Sequence, residues 1–418
     1  MSEPKIEVLA GRPALPGDGA STLDLVVRIT PPTPDVLFVR PPINLGLVLD
    51  RSGSMAAAKK MNYARDAAAF AVRQLLPTDQ VSVTVFDNIV ETIYPNAPAT
   101  DKPAIVRQIE AIHSRGATAL HAGWKEGADQ VERHAISDGL NRVILLSDGQ
   151  ANEGVVDPNV IAAECKARAG RGVSTTTMGL GDDYNEDLMQ RMGEQGDGNY
   201  YLIETPQQLE DIFHTELKGL MASTGTKVSL GIEPQSAATV AEVFNDMDRN
   251  SFGRLMLPNL TVGMPIVVAL RLNVPAIRRE AEVCRFRLAW DDPKTGKRRS
   301  IYASLTLPVA SRAEWDAMPA EPLVLEQVAI QMAARARKEA VAAFDRGDLA
   351  SSRSFIGESL SCLSSVTRSS QVLRELAETQ LATGHFDEGE LTKFRKAASH
   401  QSYRNKRGTE GPTPEDAP

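Results

Sequence analysis

The pattern of apolar and polar positions divides the chain into regions of different character. Between residues 41 and 220, short apolar runs alternate with stretches in which apolar residues recur at helical spacing. The apolar runs predict strands at 43–49, 81–86, 90–94, 142–147, 173–179 and 199–203. The helical stretches predict helices at 55–76, 101–112, 119–134, 158–169, 185–192 and 206–220. Strands separated by helices favour a mainly parallel sheet with helices on both faces, with 90–94 as an antiparallel edge strand.

On either side of this α/β region the pattern changes. Residues 21–30 alternate with period two, and more short strands are predicted at 227–232, 239–244, 265–272, 281–290 and 299–307. Because a single strand is not stable alone, we expect 21–30 to join the later strands in a β-sandwich, so that the α/β domain is inserted into it. The predicted domains are therefore a sandwich from 1–40 and 221–310, with the α/β domain at 41–220.

The last part of the chain returns to helical spacing. Residues 311–400 are predicted to form a helical domain, and the similar segments 344–347 and 386–389 each place an Asp and a Gly where a helical hairpin would turn. Residues 401–418 end in a polar, Pro-containing stretch and are expected to be a disordered tail.

Length, charge and cysteine content exclude some classes of protein. The chain has 418 residues, too many for one ordinary core, and a net charge of −8, which argues against a protein that binds nucleic acid over its whole surface. The cysteines Cys165, Cys284 and Cys362 fall in different predicted domains, which is typical of reduced thiols. No signal-peptide pattern and no apolar stretch of membrane-spanning length is visible. We therefore expect a cytoplasmic protein.

Oxygen-bearing side chains follow two of the predicted strands and one loop. Asp50, Ser52 and Ser54 come directly after strand 43–49, Thr118 lies in the loop 114–120, and Asp148 ends strand 142–147. The carboxyl ends of strands are where open α/β sheets bind ligands. Carboxylates and hydroxyls without Cys or His suit a hard cation such as Mg²⁺.

These segments resemble the metal-ion-dependent adhesion site of von Willebrand factor type A domains. That pattern is Asp-x-Ser-x-Ser, a distant Thr and a distant Asp followed by Gly, and the chain has every member of it. The overall layout also resembles intracellular bacterial members of the family. The resemblance covers about 180 residues and implies a Rossmann-like, doubly wound fold. It further implies a divalent metal, Mg²⁺ or else Mn²⁺ or Ca²⁺, held by Asp50, Ser52, Ser54, Thr118 and Asp148, with the two carboxylates acting mainly through metal-bound waters.

The resemblance implies a non-enzymatic scaffold that binds an Asp or Glu of a protein partner through the metal. Intracellular relatives often serve ATPase-driven assemblies, and an ATPase would here be a separate chain because no nucleotide-binding motif is present. Neither nucleic acid nor a membrane span is expected. Two alternatives stay open: a structural subunit whose metal only holds loops together, and a metal-dependent hydrolase that uses His113 or His121, which flank Thr118.

Overall fold

The computed structural model describes residues 3–32, 40–293 and 295–408. Contacts divide the described chain into two compact units. One unit contains residues 40–222, and the other contains residues 3–32, 223–292 and 297–408. The predictions made for residues 33–39 and 409–418 lie outside the described residues.

The strands are β1 (Lys5–Ala10), β2 (Ser21–Thr30), β3 (Ile43–Asp50), β4 (Gln80–Phe86), β5 (Val90–Pro98), β6 (Leu140–Ser147), β7 (Val173–Leu180), β8 (Tyr200–Ile203), β9 (Ser223–Pro234), β10 (Thr239–Val243), β11 (Ile266–Val274), β12 (Ala281–Asp291) and β13 (Arg298–Leu307). The helices are α1 (Lys60–Gln74), α2 (Lys102–Glu110), α3 (Leu120–Arg133), α4 (Pro158–Gly170), α5 (Glu186–Gln195), α6 (Leu209–Met221), α7 (Arg312–Ala317), α8 (Pro322–Asp345), α9 (Leu349–Ser364), α10 (Ser370–Asp387) and α11 (Leu391–Lys406).

The sheet of the α/β unit has the strand order β5-β4-β3-β6-β7-β8. Strand β5 runs antiparallel at the edge and the others are parallel, as the sequence predicts. Every residue of β3 is buried, because a central parallel strand is covered on both faces. The chain runs outward from β3 to β4 and β5 on one side, and from β6 to β8 on the other. The two directions meet between β3 and β6, which is the point where doubly wound sheets open a ligand crevice.

Alternate residues of β3 face different helices. Leu45, Leu47 and Leu49 belong to a core shared with α1, α2 and α6. Val48 faces α3, which approaches so closely that a Cβ on Gly127 would lie 2.2 Å from a Val48 methyl carbon. The glycine in α3 therefore allows helix and strand to pack without a gap.

The helix expected at 55–76 is interrupted at its start, so that prediction was wrong in one respect. Residues Gly53–Lys59 form a tight 3₁₀ segment, which ends where Ala58 and Lys59 take left-handed backbone angles, with φ of 50° and 60°. The α-helix begins only at Lys60. Because of this break, the Lys60 side chain leaves the main chain in a direction that a continuous helix would not give it.

The second unit contains the sandwich. One sheet has the order β1-β2-β11-β10, and the other is built on β9-β12-β13, with a two-residue strand at Leu255–Met256 beside β9. Strand β2 precedes the α/β unit in the sequence and β11 follows it, yet Ser21 pairs with Val274 and Ile29 with Ile266. The two sheets share one core. The prediction that the α/β domain is inserted into a β-sandwich is confirmed.

The helical region belongs to the same compact unit as the sandwich. Val324 and Val328 of α8 pack against Val26 of β2 and Val267 of β11. Helices α8 and α9, and then α10 and α11, form two hairpins that turn at Gly347 and Gly389, both with φ of 78°. Helix α11 continues to Lys406, so the disordered tail expected from residue 401 was wrong for 401–406. Among the residues that the structure describes, no helix is both long and apolar enough to cross a membrane.

A buried ion pair joins these helices. Arg337 on α8 is 1% exposed and lies 3.3 Å from the carboxylate of Glu375 on α10, which is 2% exposed. Arg337 also donates hydrogen bonds of 3.1 Å to Ser359 on α9 and Thr379 on α10, and Asn405 on α11 donates to Glu375 at 2.6 Å. Burial lowers the pKa of Arg337 to about 10. Polar side chains thus connect all the helices of the two hairpins.

Replacement of Arg337 by Met should lower the free energy of unfolding by about 2–3 kcal/mol, because the buried Glu375 would keep only the partly exposed Arg404, 3.0 Å away, as its opposite charge, and would lose its charged hydrogen bond from α8. Lys338→Met is the matched control, since the Lys338 pair with Asp246 is exposed and should contribute less than about 1 kcal/mol. Urea unfolding followed by far-UV circular dichroism measures both. Equal losses in the two variants would contradict the assignment of stability to the buried pair.

Candidate metal centre

The register of the sheet brings the predicted residues to one edge. Asp50 of β3 pairs with Phe86 of β4, and Leu49 pairs with Leu146 of β6. The residues at these strand ends therefore lie side by side, and Asp50 and Asp148 flank the point where the sheet changes direction. Both carboxylates are fully buried.

Asp50, Ser52, Ser54 and Asp148 are linked by hydrogen bonds. One oxygen of Asp50 accepts from the backbone N–H of Ser52 at 2.7 Å, and the other accepts from the hydroxyl of Ser147. The hydroxyl oxygens of Ser52 and Ser54 are 3.1 Å apart. Ser54 donates to Asp148 Oδ1 at 2.7 Å, although 94 residues separate the two in the sequence.

Thr118 reaches the same place from its own loop. A Cβ built on Gly149 would lie 3.0 Å from Thr118 Oγ1 and 3.6 Å from Asp50 Oδ2. Because residue 149 is glycine, the space between the Thr118 hydroxyl and the Asp50 carboxylate stays open. The donors that converge here are hydroxyl and carboxylate oxygens, the set that fits Mg²⁺ or a similar hard cation. Ser54 is exposed, so this space faces the surface of the unit.

Lys60 is a member of this site that the sequence analysis missed. Its ammonium nitrogen lies 2.6 Å from Asp148 Oδ2, and its side chain is only 12% exposed. Lys60 is the first residue of α1, directly after the left-handed Ala58 and Lys59. Periodicity predicts an unbroken helix through these positions, so no pattern in the sequence indicates this contact.

Asp87 is the second residue that sequence reasoning missed. It follows β4 at the same edge, is fully buried, and accepts hydrogen bonds from Arg51 Nε at 3.1 Å and Arg115 Nε at 2.7 Å. Burial raises the pKa of Asp87, but the hydrogen bonds from Arg115 and the Ile89 N–H and the charge of Arg51 outweigh burial, so the pKa is lowered overall. Its position directly after a predicted strand was a usable signal, because Asp50 and Asp148 were found in the same way.

Backbone contacts fix the loops around Asp87. The N–H of Arg115 donates to the carbonyl of Arg51 at 2.6 Å, and the N–H of Gly53 donates to the carbonyl of Gly116 at 3.0 Å. Gly116 has φ of 73°, and a Cβ there would lie 2.3 Å from the Asn88 side chain, so only glycine fits. The loops that carry Ser52 and Thr118 are thus held together by their own main chains.

The histidines beside Thr118 are engaged elsewhere or exposed. The buried His121 places its Nε2 3.1 Å from a carboxylate oxygen of Glu164 on α4. His113 is exposed in its loop. Within the described ranges, neither imidazole is hydrogen-bonded to any of the predicted metal ligands, so the geometry gives the hydrolase alternative no support.

A shallow groove lies beside the predicted ligands. It is lined by Asn88, Gly116 and Ala117 together with Asn152 and Glu153 from the loop after Asp148. Both of these loop residues are exposed. The groove gives the site a polar rim.

The pKa of Asp50 leads to a prediction about stability. Burial raises this pKa from 3.8 to about 6, the charge of Asp148 adds to the effect, and hydrogen bonds from Ser147 and Ser52 oppose it. Because the folded protein holds this proton more tightly than the unfolded chain does, the stabilisation is complete below pH about 4 and is lost as the pH rises to about 6. In EDTA, the free energy of unfolding of the wild type minus that of Asp50→Asn should fall by about 2.4 kcal/mol between pH 4 and pH 7.

The control for this measurement is Asp183→Asn, which removes an exposed carboxylate. Its difference from the wild type should change little over the same pH range. Parallel stability curves for Asp50→Asn and the wild type would refute the raised pKa.

One comparison with known proteins follows the boundaries of the α/β unit. Residues 44–215 match the model of the von Willebrand factor type A domain. The uncharacterized protein YfbK of Escherichia coli is 27% identical over 194 residues, which are 46% of this chain and 34% of that protein. The uncharacterized protein sll0103 of Synechocystis is 24% identical over 293 residues, 66% of this chain and 68% of that one. Mouse inter alpha-trypsin inhibitor heavy chain 4 is 24% identical over 43% of this chain and 20% of its own length. The match to YfbK thus spans about a third of that relative.

Two solved structures resemble nearly the whole chain. The von Willebrand factor type A protein from Catenulispora acidiphila has a TM-score of 0.72 at 15% identity and covers 98% of this chain and 97% of its own. The ArnB paralog VWA2 from Sulfolobus acidocaldarius has a TM-score of 0.62 at 18% identity and covers 97% and 99%. At these identities the likeness concerns the fold alone. Together with the strand order and the match of residues 44–215 to the family model, it shows that the α/β unit has the fold of a von Willebrand factor type A domain.

Proposed function

We propose that this chain is a scaffold protein that binds an aspartate or glutamate side chain of a protein partner through a divalent cation. Domains of this family commonly mediate protein–protein interactions and commonly bind a divalent metal. The residues that would hold the cation are Asp50, Ser52, Ser54, Thr118 and Asp148. When bound, the cation supplies a Lewis-acidic position for a carboxylate oxygen of the partner.

The observation that carries the proposal is the arrangement of charged and neutral oxygens. Asp50 and Asp148 are fully buried and already accept hydrogen bonds, whereas the Ser54 hydroxyl is exposed. Ser52 and Thr118 are buried, so the predicted ligand that reaches the surface is Ser54, whose neutral hydroxyl leaves more of a cation's charge to act on an incoming anion. An exposed donor supports a site that meets a partner over one whose metal only holds loops together.

The oxygen donors favour Mg²⁺, with Mn²⁺ and Ca²⁺ as alternatives of similar chemistry. Calorimetric titrations with each ion separate these possibilities. The proposal requires that at least one of them binds the wild type and binds Asp50→Ala/Ser52→Ala more weakly.

The rim offers contacts to the rest of a partner. The Arg115 side chain is 57% exposed, while its Nε is held by Asp87. The next residue, Gly116, lines the groove together with Asn88, Asn152 and the acidic Glu153. The rim thus offers both a cation and an anion to the rest of a partner.

We place this interaction in the cytoplasm. The thiols of Cys165, Cys284 and Cys362 are all free in the described structure, which fits a reducing compartment. The sequence carries no nucleotide-binding motif, so in an ATPase-driven assembly this chain would supply the binding function and a separate chain the ATPase.

Affinity capture from native lysate tests the function. Wild-type bait should retain a partner in Mg²⁺ and lose at least about 90% of it in EDTA, and the Asp50→Ala/Ser52→Ala bait should retain equally little in Mg²⁺, because both losses remove cation ligation. Asp183→Ala, which removes an exposed carboxylate from another loop, is the control and should behave as the wild type.

Other outcomes reject the proposal in different ways. A partner retained by every bait would move the binding role to the sandwich or the helices. A lower melting temperature of the double variant with unchanged capture would make the metal a structural one only.

A further inference from the structure

We propose that Lys60 sets the charge of this site, so that it weakens the binding of the divalent cation and strengthens the binding of the partner's carboxylate. The inference rests on the proposed function and assigns a specificity role to a residue outside the predicted ligand set.

The position of Lys60 is fixed from more than one side. Its ammonium lies 2.6 Å from Asp148 Oδ2, while Asp148 Oδ1 accepts from Ser54. A Cβ on Gly181, in the loop after β7, would lie 3.5 Å from Lys60 Nζ and 3.6 Å from its Cε. The left-handed Lys59 before it fixes the direction in which the side chain leaves the main chain. The Lys60 side chain is therefore held in a fixed position within the site, unlike that of a mobile surface lysine.

The charges around the site show what this ammonium does. Asp50 and Asp148 together carry two negative charges, which a divalent cation would cancel. Lys60 adds one positive charge, so a site with its cation bound would be cationic by one unit. A partner carboxylate then restores neutrality, whereas without Lys60 the same carboxylate would meet a neutral site.

Neighbouring charges do not supply the same effect. Arg51 pairs with Asp87 and Glu91, and Arg115 also pairs with Asp87, so this cluster contains equal numbers of positive and negative groups. The exposed Asp182 lies next to Gly181, where solvent screens it more than it screens the Lys60 side chain, which is 12% exposed. Lys60 is therefore the group that would give the cation-bound site its net positive charge.

Loss of the ammonium should therefore change two affinities in opposite directions. Repulsion between like charges at short range opposes cation binding, and the same field attracts an anion. A residue that only supports the local structure would weaken both kinds of binding when replaced. The opposite signs separate an electrostatic role from a structural one.

The first experiment titrates Mg²⁺ alone into the wild type, Lys60→Met, Lys60→Arg and Lys59→Met, with calorimetric detection. Lys60→Met should bind Mg²⁺ about tenfold more tightly, because a repulsive charge is removed. Lys60→Arg keeps the charge and Lys59→Met removes the neighbouring exposed charge. Both should stay within about twofold of the wild type, since neither removes the charge beside Asp148.

The second experiment uses acetate as the carboxylate probe. Proton relaxation of acetate on the Mn²⁺-loaded proteins reports how tightly the probe binds near the metal. Lys60→Met should bind acetate several-fold more weakly than the wild type, and Lys60→Arg should not.

The outcomes are distinguishable. Mg²⁺ binding by Lys60→Met that is equal to or weaker than wild-type binding overturns the role of Lys60 but leaves the proposed function standing. Absence of Mg²⁺, Mn²⁺ and Ca²⁺ binding by every protein overturns the proposed function itself. Circular dichroism verifies folding, and Lys60→Gln, a neutral polar side chain, takes the place of Lys60→Met if the latter does not fold.

Discussion

Buried carboxylates at the ends of three adjacent strands are the constraint on which this site depends. Asp50, Asp87 and Asp148 follow β3, β4 and β6 at one edge of the sheet, and none of them is accessible to solvent. An uncompensated buried charge costs several kcal/mol, so the surrounding loops must supply partners for each. They do so in different ways. Asp50 receives hydroxyl and N–H groups, Asp87 receives two guanidinium groups, and Asp148 receives a hydroxyl and an ammonium.

The choice of partner determines what each carboxylate can do. Asp87 is surrounded by cations, which hold its pKa low and tie the loops of Ser52 and Thr118 into one framework. The partners of Asp50 are neutral, and burial raises its pKa to about 6. Two identical side chains at the same edge of the sheet thus acquire opposite shifts. Asp87 stays charged and holds the loops, whereas Asp50 takes up a proton at a higher pH.

Much of the architecture was predictable from periodicity, because strands and helices of the α/β unit bury continuous or regularly spaced apolar residues. The convergence of Asp50, Ser52, Ser54 and Asp148 on one edge followed from where the strands end, and Thr118 was added by the resemblance to the family pattern. Lys60 was not predictable, since its contact depends on backbone angles at Ala58 and Lys59 that their side chains do not require. The helix from Leu391 to Lys406 was expected to stop at 400, because its polar composition conceals the buried Tyr403 and Asn405.

The pairing of β2 with β11 has a consequence for how the chain folds. These neighbouring strands of the sandwich are separated in sequence by the entire α/β unit, so their contact closes a very long loop. Such a closure is entropically costly in an unfolded chain and slow to form. The α/β unit has its own core and its own complete sheet, and it is synthesised between the two strands. Its early collapse shortens the effective loop, so the order of folding runs from the inserted domain outward to the one that surrounds it.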